Sequence, residues 1–147
     1  MLESIKNLGS AIVQERKYGI VAFRVEERPS NTGSATAMLD EFVETLGFDG
    51  LREDWKEIDR RMAQTILQAV LYRDLAYNAE IMTAKRACQL AEQFLALFTE
   101  QARYFTNAVF ESSRLSMWSG ITEATFDTGV ICFDNKLVGI LWVQDED

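Results

Sequence analysis

The spacing of apolar and polar positions divides the chain into recognisable elements. Near the start, Leu2, Ile5, Leu8, Ile12 and Val13 recur at steps of three and four, which is the spacing of one helix face. Gly9 weakens that helix and Gly19 offers it a stop, while a strand over Ala11–Glu15 with a turn at Lys17–Gly19 is the competing reading. Val21, Phe23 and Val25 then alternate with Ile20, Ala22, Arg24 and Glu26, the period of a strand with one face on a core.

Glu27–Ser34 carries the single proline and a Ser/Asn/Thr/Gly run, so it reads as a loop whose Ser34 or Thr36 caps the next helix. Residues 35–46 form a short amphipathic helix, with Met38, Leu39, Phe42, Val43 and Leu46 inward and Asp40, Glu41 and Glu44 outward. Gly47 stands where a left-handed terminating residue belongs.

From Leu51 to Ser119 there is neither glycine nor proline, and this stretch predicts a long helix or a helical hairpin around which the rest is arranged. Asp49 is placed to cap it, with Glu53 and Asp54 in the first turn. Trp55, Ile58, Met62, Ile66, Val70 and Tyr77 form a first stripe, with no break forced before Tyr77–Asn78. Ile81, Ala84, Cys88, Ala91, Leu95, Phe98, Ala102, Phe105 and Val109 continue as a seven-residue repeat. Ala87, Leu90, Phe94, Leu97, Tyr104 and Ala108 widen it. A face that wide is expected to be buried within the chain, with a homodimer seam as the alternative.

Beyond it, Thr125–Phe133 and Leu137–Val143 are rich in Val, Ile, Phe, Thr and Trp on either side of Asp134-Asn135-Lys136, which predicts a hairpin. With Asn135-Lys136 as the loop, Phe133 faces Val138, Ile131 faces Ile140 and Gly129 faces Trp142. Both faces are apolar, so both should be covered or one reserved for a partner. Together these elements predict one α+β domain over residues 1–147. In it, a long helical hairpin and one or two shorter N-terminal helices pack on a small antiparallel sheet that ends in the C-terminal β-hairpin.

Charge alters this picture through its distribution. The net charge is -8, and residues 40–59 hold eight acidic groups against two basic ones. Such a surface repels a phosphate backbone, which argues against nucleic-acid binding and for a basic protein partner. Charged residues interrupt the first twenty positions, and no apolar run is long enough to cross a bilayer as a helix. The expected location is the cytoplasm, where Cys88 and Cys132 are expected as free, buried thiols rather than a disulfide.

The chain contains no histidine. That removes the commonest general base, Ser-His and Cys-His nucleophile pairs, and imidazole metal sites, so no cofactor or metal is expected. Two polar clusters remain. Glu123, Thr125 and Asp127 would share one side of an extended segment, where paired carboxylates can do acid–base work or hold magnesium; turn and cap chemistry is the simpler reading. Tyr72, Arg73, Asp74, Tyr77 and Asn78 interrupt an apolar run. They either line a small polar pocket between helices or mark a helix–helix turn in which Asp74 or Asn78 is a cap.

The leading expectation is a non-enzymatic protein-binding domain. Small, acidic, histidine-free chains without motifs are similar as a class to bacterial inhibitor, immunity or antitoxin, and secretion-chaperone proteins, which occupy a partner's surface; that likeness transfers no residues. The expected docking residues are Asp40, Glu41, Glu44, Asp49 and Glu53, with Asp145, Glu146 and Asp147 of the tail. The alternatives are a small-molecule-binding domain or carboxylate-dependent enzyme built on Glu123 and Asp127, and a structural homo-oligomer subunit.

Overall fold

A computed structural model describes residues 2–29, 33–112 and 114–147. The expected loop at Glu27–Ser34 lies partly outside them, at Ser30, Asn31 and Thr32. Helix α1 (Leu2–Glu15) buries Leu8 and Ile12, so the helical pattern prevails over the strand alternative at Ala11–Glu15. Gly9 is buried inside it, and a Cβ there would lie 2.7 Å from Cδ1 of Phe23. The glycine that costs helix propensity lets α1 lie close on strand β1 (Ile20–Glu27). Gly19, at φ 66°, turns the chain between the two elements.

Helix α2 (Ala35–Thr45) begins where Ser34 Oγ accepts from the Ala37 amide at 3.2 Å. Gly47 follows it at φ 83°. The helix expected to start at Asp49 does not form there. A single 3-10 turn (Arg52–Asp54) and strand β2 (Lys56–Ile58) intervene. Helix α3 (Arg60–Tyr72) then starts at Asp59, whose Oδ1 accepts from the Met62 amide at 2.8 Å. Trp55, expected on the helical stripe, is buried in the core beside α2.

The long helical hairpin is also corrected. Helix α4 (Ala84–Leu95) has 12 residues and is capped by Thr83. After it come β3 (Arg103–Thr106), β4 (Ala108–Glu111) and β5 (Arg114–Trp118). The apolar spacing runs on through Phe98, Phe105 and Val109, but Tyr104, Phe105 and Thr106 suit a pleated surface better, and Tyr104 and Phe105 enter the cores on opposite faces of the sheet. The chain is also stopped from outside, because the Asp134 carboxylate accepts from the Thr99 amide at 2.9 Å. Ala91 and Leu95 of the seven-residue repeat are buried within the chain, as are Ala87, Leu90 and Phe94 of the stripe beside it, whereas Ala84 and Val109 of the repeat are exposed.

Strands β6 (Phe126–Phe133) and β7 (Leu137–Asp145) complete an antiparallel five-stranded sheet of order β1-β7-β6-β3-β2, with β4-β5 as a separate two-stranded ladder. Phe133 lies opposite Val138, Ile131 opposite Ile140 and Gly129 opposite Trp142. One face of the sheet packs Val130, Cys132, Leu141 and Val143 against α1, α3 and α4. The other packs Ile131, Ile140 and Trp142 against α2 and Trp55. Covering both faces is why β6 from Gly129 to Phe133 and β7 from Leu137 to Val143 are apolar. The fold is α+β, with four α-helices among the described residues. None of these helices is long and apolar enough to cross a membrane.

Candidate functional site

The acidic residues separate into those used internally and those left outward. Asp145, expected in a solvated tail, is buried and forms an ion pair with the buried Arg16. Its Oδ1 and Oδ2 accept from Arg16 Nη1 and Nη2 at 2.9 and 2.7 Å, and Oδ2 also accepts from the Leu75 amide at 2.8 Å. Arg16 Nε donates to the Val70 carbonyl at 2.7 Å, so α1, α3 and β7 are tied at one point. No local pattern marked Arg16, because its partners come from distant parts of the chain.

Asp40 is likewise engaged: its Oδ1 accepts from the Leu51 and Arg52 amides and from Trp55 Nε1, the last at 2.7 Å. This carboxylate orders the 50–55 segment under α2 instead of facing a partner. Asp40 and Asp145 therefore leave the docking set. Glu41, Glu44, Asp49 and Glu53 are exposed, as are Glu146 and Asp147. Glu146 accepts from Thr125 Oγ1 at 2.5 Å.

The carboxylates proposed for acid–base chemistry have different surroundings. Asp127 is fully buried. Its Oδ1 accepts from the Ile121 amide at 3.1 Å and Trp142 Nε1 at 3.0 Å, and its Oδ2 from the Thr122 amide and hydroxyl at 3.1 and 2.8 Å. Asn107 Nδ2 adds a contact at 3.3 Å. Both carboxylate oxygens are thus occupied by structural donors. Glu123 is exposed, away from this buried network. Among the described residues no group of three or more acidic, Cys or His side chains is arranged to hold a metal ion. Both cysteines are free. Burial, reinforced by the nearby Asp134 charge, pushes the Cys132 thiol well above its ordinary value, which keeps it protonated and unreactive.

The cluster at the end of α3 divides as well. Asp74 is buried and caps the turn after α3, accepting from the Ala76, Tyr77 and Ala79 amides at 3.1, 2.8 and 2.7 Å. Tyr77 is exposed. Arg73 and Asn78 turn instead to a cavity of about 600 Å³ that also takes in Tyr72, Ser112 and Arg114. The Arg73 guanidinium lies 4.6 Å from the Tyr72 ring centre. It donates from Nη2 to the Tyr72 hydroxyl at 3.0 Å and from Nη1 to the Asn78 carbonyl at 2.9 Å.

Compared with known proteins, the chain matches no family model, no curated protein and no solved structure. The functional reading therefore rests on its own geometry.

Proposed function

We propose that this protein is a non-enzymatic binding domain that occupies the surface of a basic protein, in the manner of an immunity protein, antitoxin or secretion chaperone. One observation carries the reading. Glu44, Asp49, Glu53 and Asp54 are all exposed on α2 and the segment after it, and none enters an ion pair among the described residues. Beneath them Leu39, Phe42, Val43 and Trp55 are buried against the sheet, so these carboxylates stand on a rigid support. Unneutralised charge on a fixed surface speeds encounter with a complementary partner and sets its orientation.

The test is a partner captured from the source cells with the chain as bait, followed by measured affinities. The proposal expects a basic partner whose Kd rises at least about tenfold for the triple variant Glu44→Lys, Asp49→Lys, Glu53→Lys. It expects similar weakening between about 50 and about 300 mM salt. Binding indifferent to both salt and charge reversal would remove this surface from the reading. The variant's melting temperature should stay close to that of the parent chain, since the substituted side chains are exposed.

A further inference from the structure

The cavity at the end of α3 holds a feature at odds with the acidic character of the chain. Two arginines line it, Arg73 from the turn after α3 and Arg114 from the start of β5, together with Gln68, Tyr72, Asn78 and Ser112; among the described residues no carboxylate lines its wall. Neither arginine forms an ion pair among the described residues, whereas Arg16, Arg86 and Arg103 each have a carboxylate partner. The nearest acidic residues in the ladders are otherwise placed. Glu80 pairs with Arg73 through the backbone only. Glu111, opposite Arg114, accepts from Ser116 Oγ at 3.3 Å.

Arg73 is set in position before any ligand arrives. Stacking on Tyr72 and hydrogen bonds to the Tyr72 hydroxyl and the Asn78 carbonyl fix the plane of its guanidinium. Two of its five N–H groups are used in this way, and the remainder are available as donors. A planar fork held by its neighbours loses less freedom on engaging an oxyanion than a free side chain does. The backbone is arranged around the same space. Of the three non-glycine residues with positive φ among those described, two line this cavity, Asn78 at 58° and Ser112 at 51°. Non-glycine residues in this region cost free energy and collect where a site needs its geometry fixed.

The geometry points to a binding site for the oxyanion of a small anionic molecule, a phosphate monoester or a carboxylate, with Arg73 as the fixed fork and Arg114 as a second cation on the same wall. Tyr72, Gln68 and Ser112 offer hydroxyl and amide partners to the rest of the ligand. A volume of about 600 Å³ is of the size that small-molecule sites have. This site shares no residue with the acidic face, so either proposal can fail while the other stands.

The experiment is calorimetric titration of the full chain, at fixed ionic strength, with inorganic phosphate, ribose 5-phosphate and succinate. At least one of these should bind with a Kd of about 1 mM or tighter, and Arg114→Gln and Arg73→Gln should each weaken it about tenfold or more. Lys136→Gln, which removes an exposed cation at the β6–β7 turn, should leave it unchanged. Arg114 is exposed, so its substitution carries the test even if Arg73→Gln perturbs folding. The probe that binds best distinguishes a phosphate from a carboxylate ligand. No binding of any probe at about 10 mM, or equal weakening by Lys136→Gln, would overturn the assignment.

Discussion

Arg16 and Asp145, separated by 129 residues, meet in a two-pronged ion pair at 2.9 and 2.7 Å inside the protein. The same guanidinium holds the Val70 and Tyr18 carbonyls, so the contact closes loops across most of the chain. Removing one partner strands the other charge without water. Asp145→Ala should lower unfolding free energy by about 3–5 kcal/mol, read by urea denaturation. Replacing both, as in Arg16→Met with Asp145→Leu, should cost less than the two single changes added together. Additive losses would show that the two residues act separately.

Asp134 gives the acid limb of the stability curve. Burial works to raise its pKa, but amide hydrogen bonds from Leu137, Thr99 and Lys136 outweigh it and hold the carboxyl below its ordinary 3.8. A carboxyl depressed in the folded state stabilises the fold above the unfolded value, and that stability is lost as pH falls through the folded one. Denaturation midpoints should therefore drop below about pH 4, and Asp134→Asn should flatten the drop. The Glu15–Arg86 and Glu57–Arg103 pairs also hold their carboxyls below the usual range through guanidinium hydrogen bonds. The first is partly exposed and the second well exposed, so measuring at high salt suppresses their share.

Gly9→Ala tests close packing against helix propensity. In an open helix the change would stabilise by roughly 1 kcal/mol. Here the new methyl meets the Phe23 ring at 2.7 Å, and the expected outcome is a net loss of about 1–3 kcal/mol. Adding Phe23→Leu should recover part of it. A thermal midpoint that rises for Gly9→Ala alone would show that Phe23 yields freely.

Thiol chemistry should separate the two cysteines. Cys88 is half-buried and its thiol donates to Glu92 at 3.4 Å, a contact that holds its pKa above the ordinary value. Cys132 is fully buried. A thiol reagent near neutral pH should modify Cys88 slowly and Cys132 only after denaturant is added, as followed by mass spectrometry. Equal rates in the native protein would contradict the burial of Cys132.

The parts of the fold that could be read from the residues are those signalled within a few positions. Ser34 and Gly47 bracket α2 by their own conformational preferences, and the two residues between Asp134 and Leu137 set which side chains oppose each other across β6 and β7. What stayed hidden depends on contacts distant in the chain. The end of α4 at Leu95 is secured by a carboxylate 35 residues away from Thr99, so the apolar spacing that continues to Val109 gives no warning of it. Asp145 reads as part of an acidic tail until Arg16 is seen beside it. For the cavity, Arg73 and Asn78 stand out as polar interruptions of an apolar run, but Arg114 arrives from a separate hairpin and carries no local mark.

The position of β1 bears on how the chain is made. Its neighbour in the sheet is β7, with Ile20 across from Gln144. At about 5–20 residues per second, roughly 6–25 s separate the synthesis of these two residues. For much of that interval β1 has no strand to join, and its hydrogen-bonding edge is open to other chains. Pairing of β1 thus waits for the strand made last among those described, and production in the cell should depend on the chaperones that guard unfinished strands.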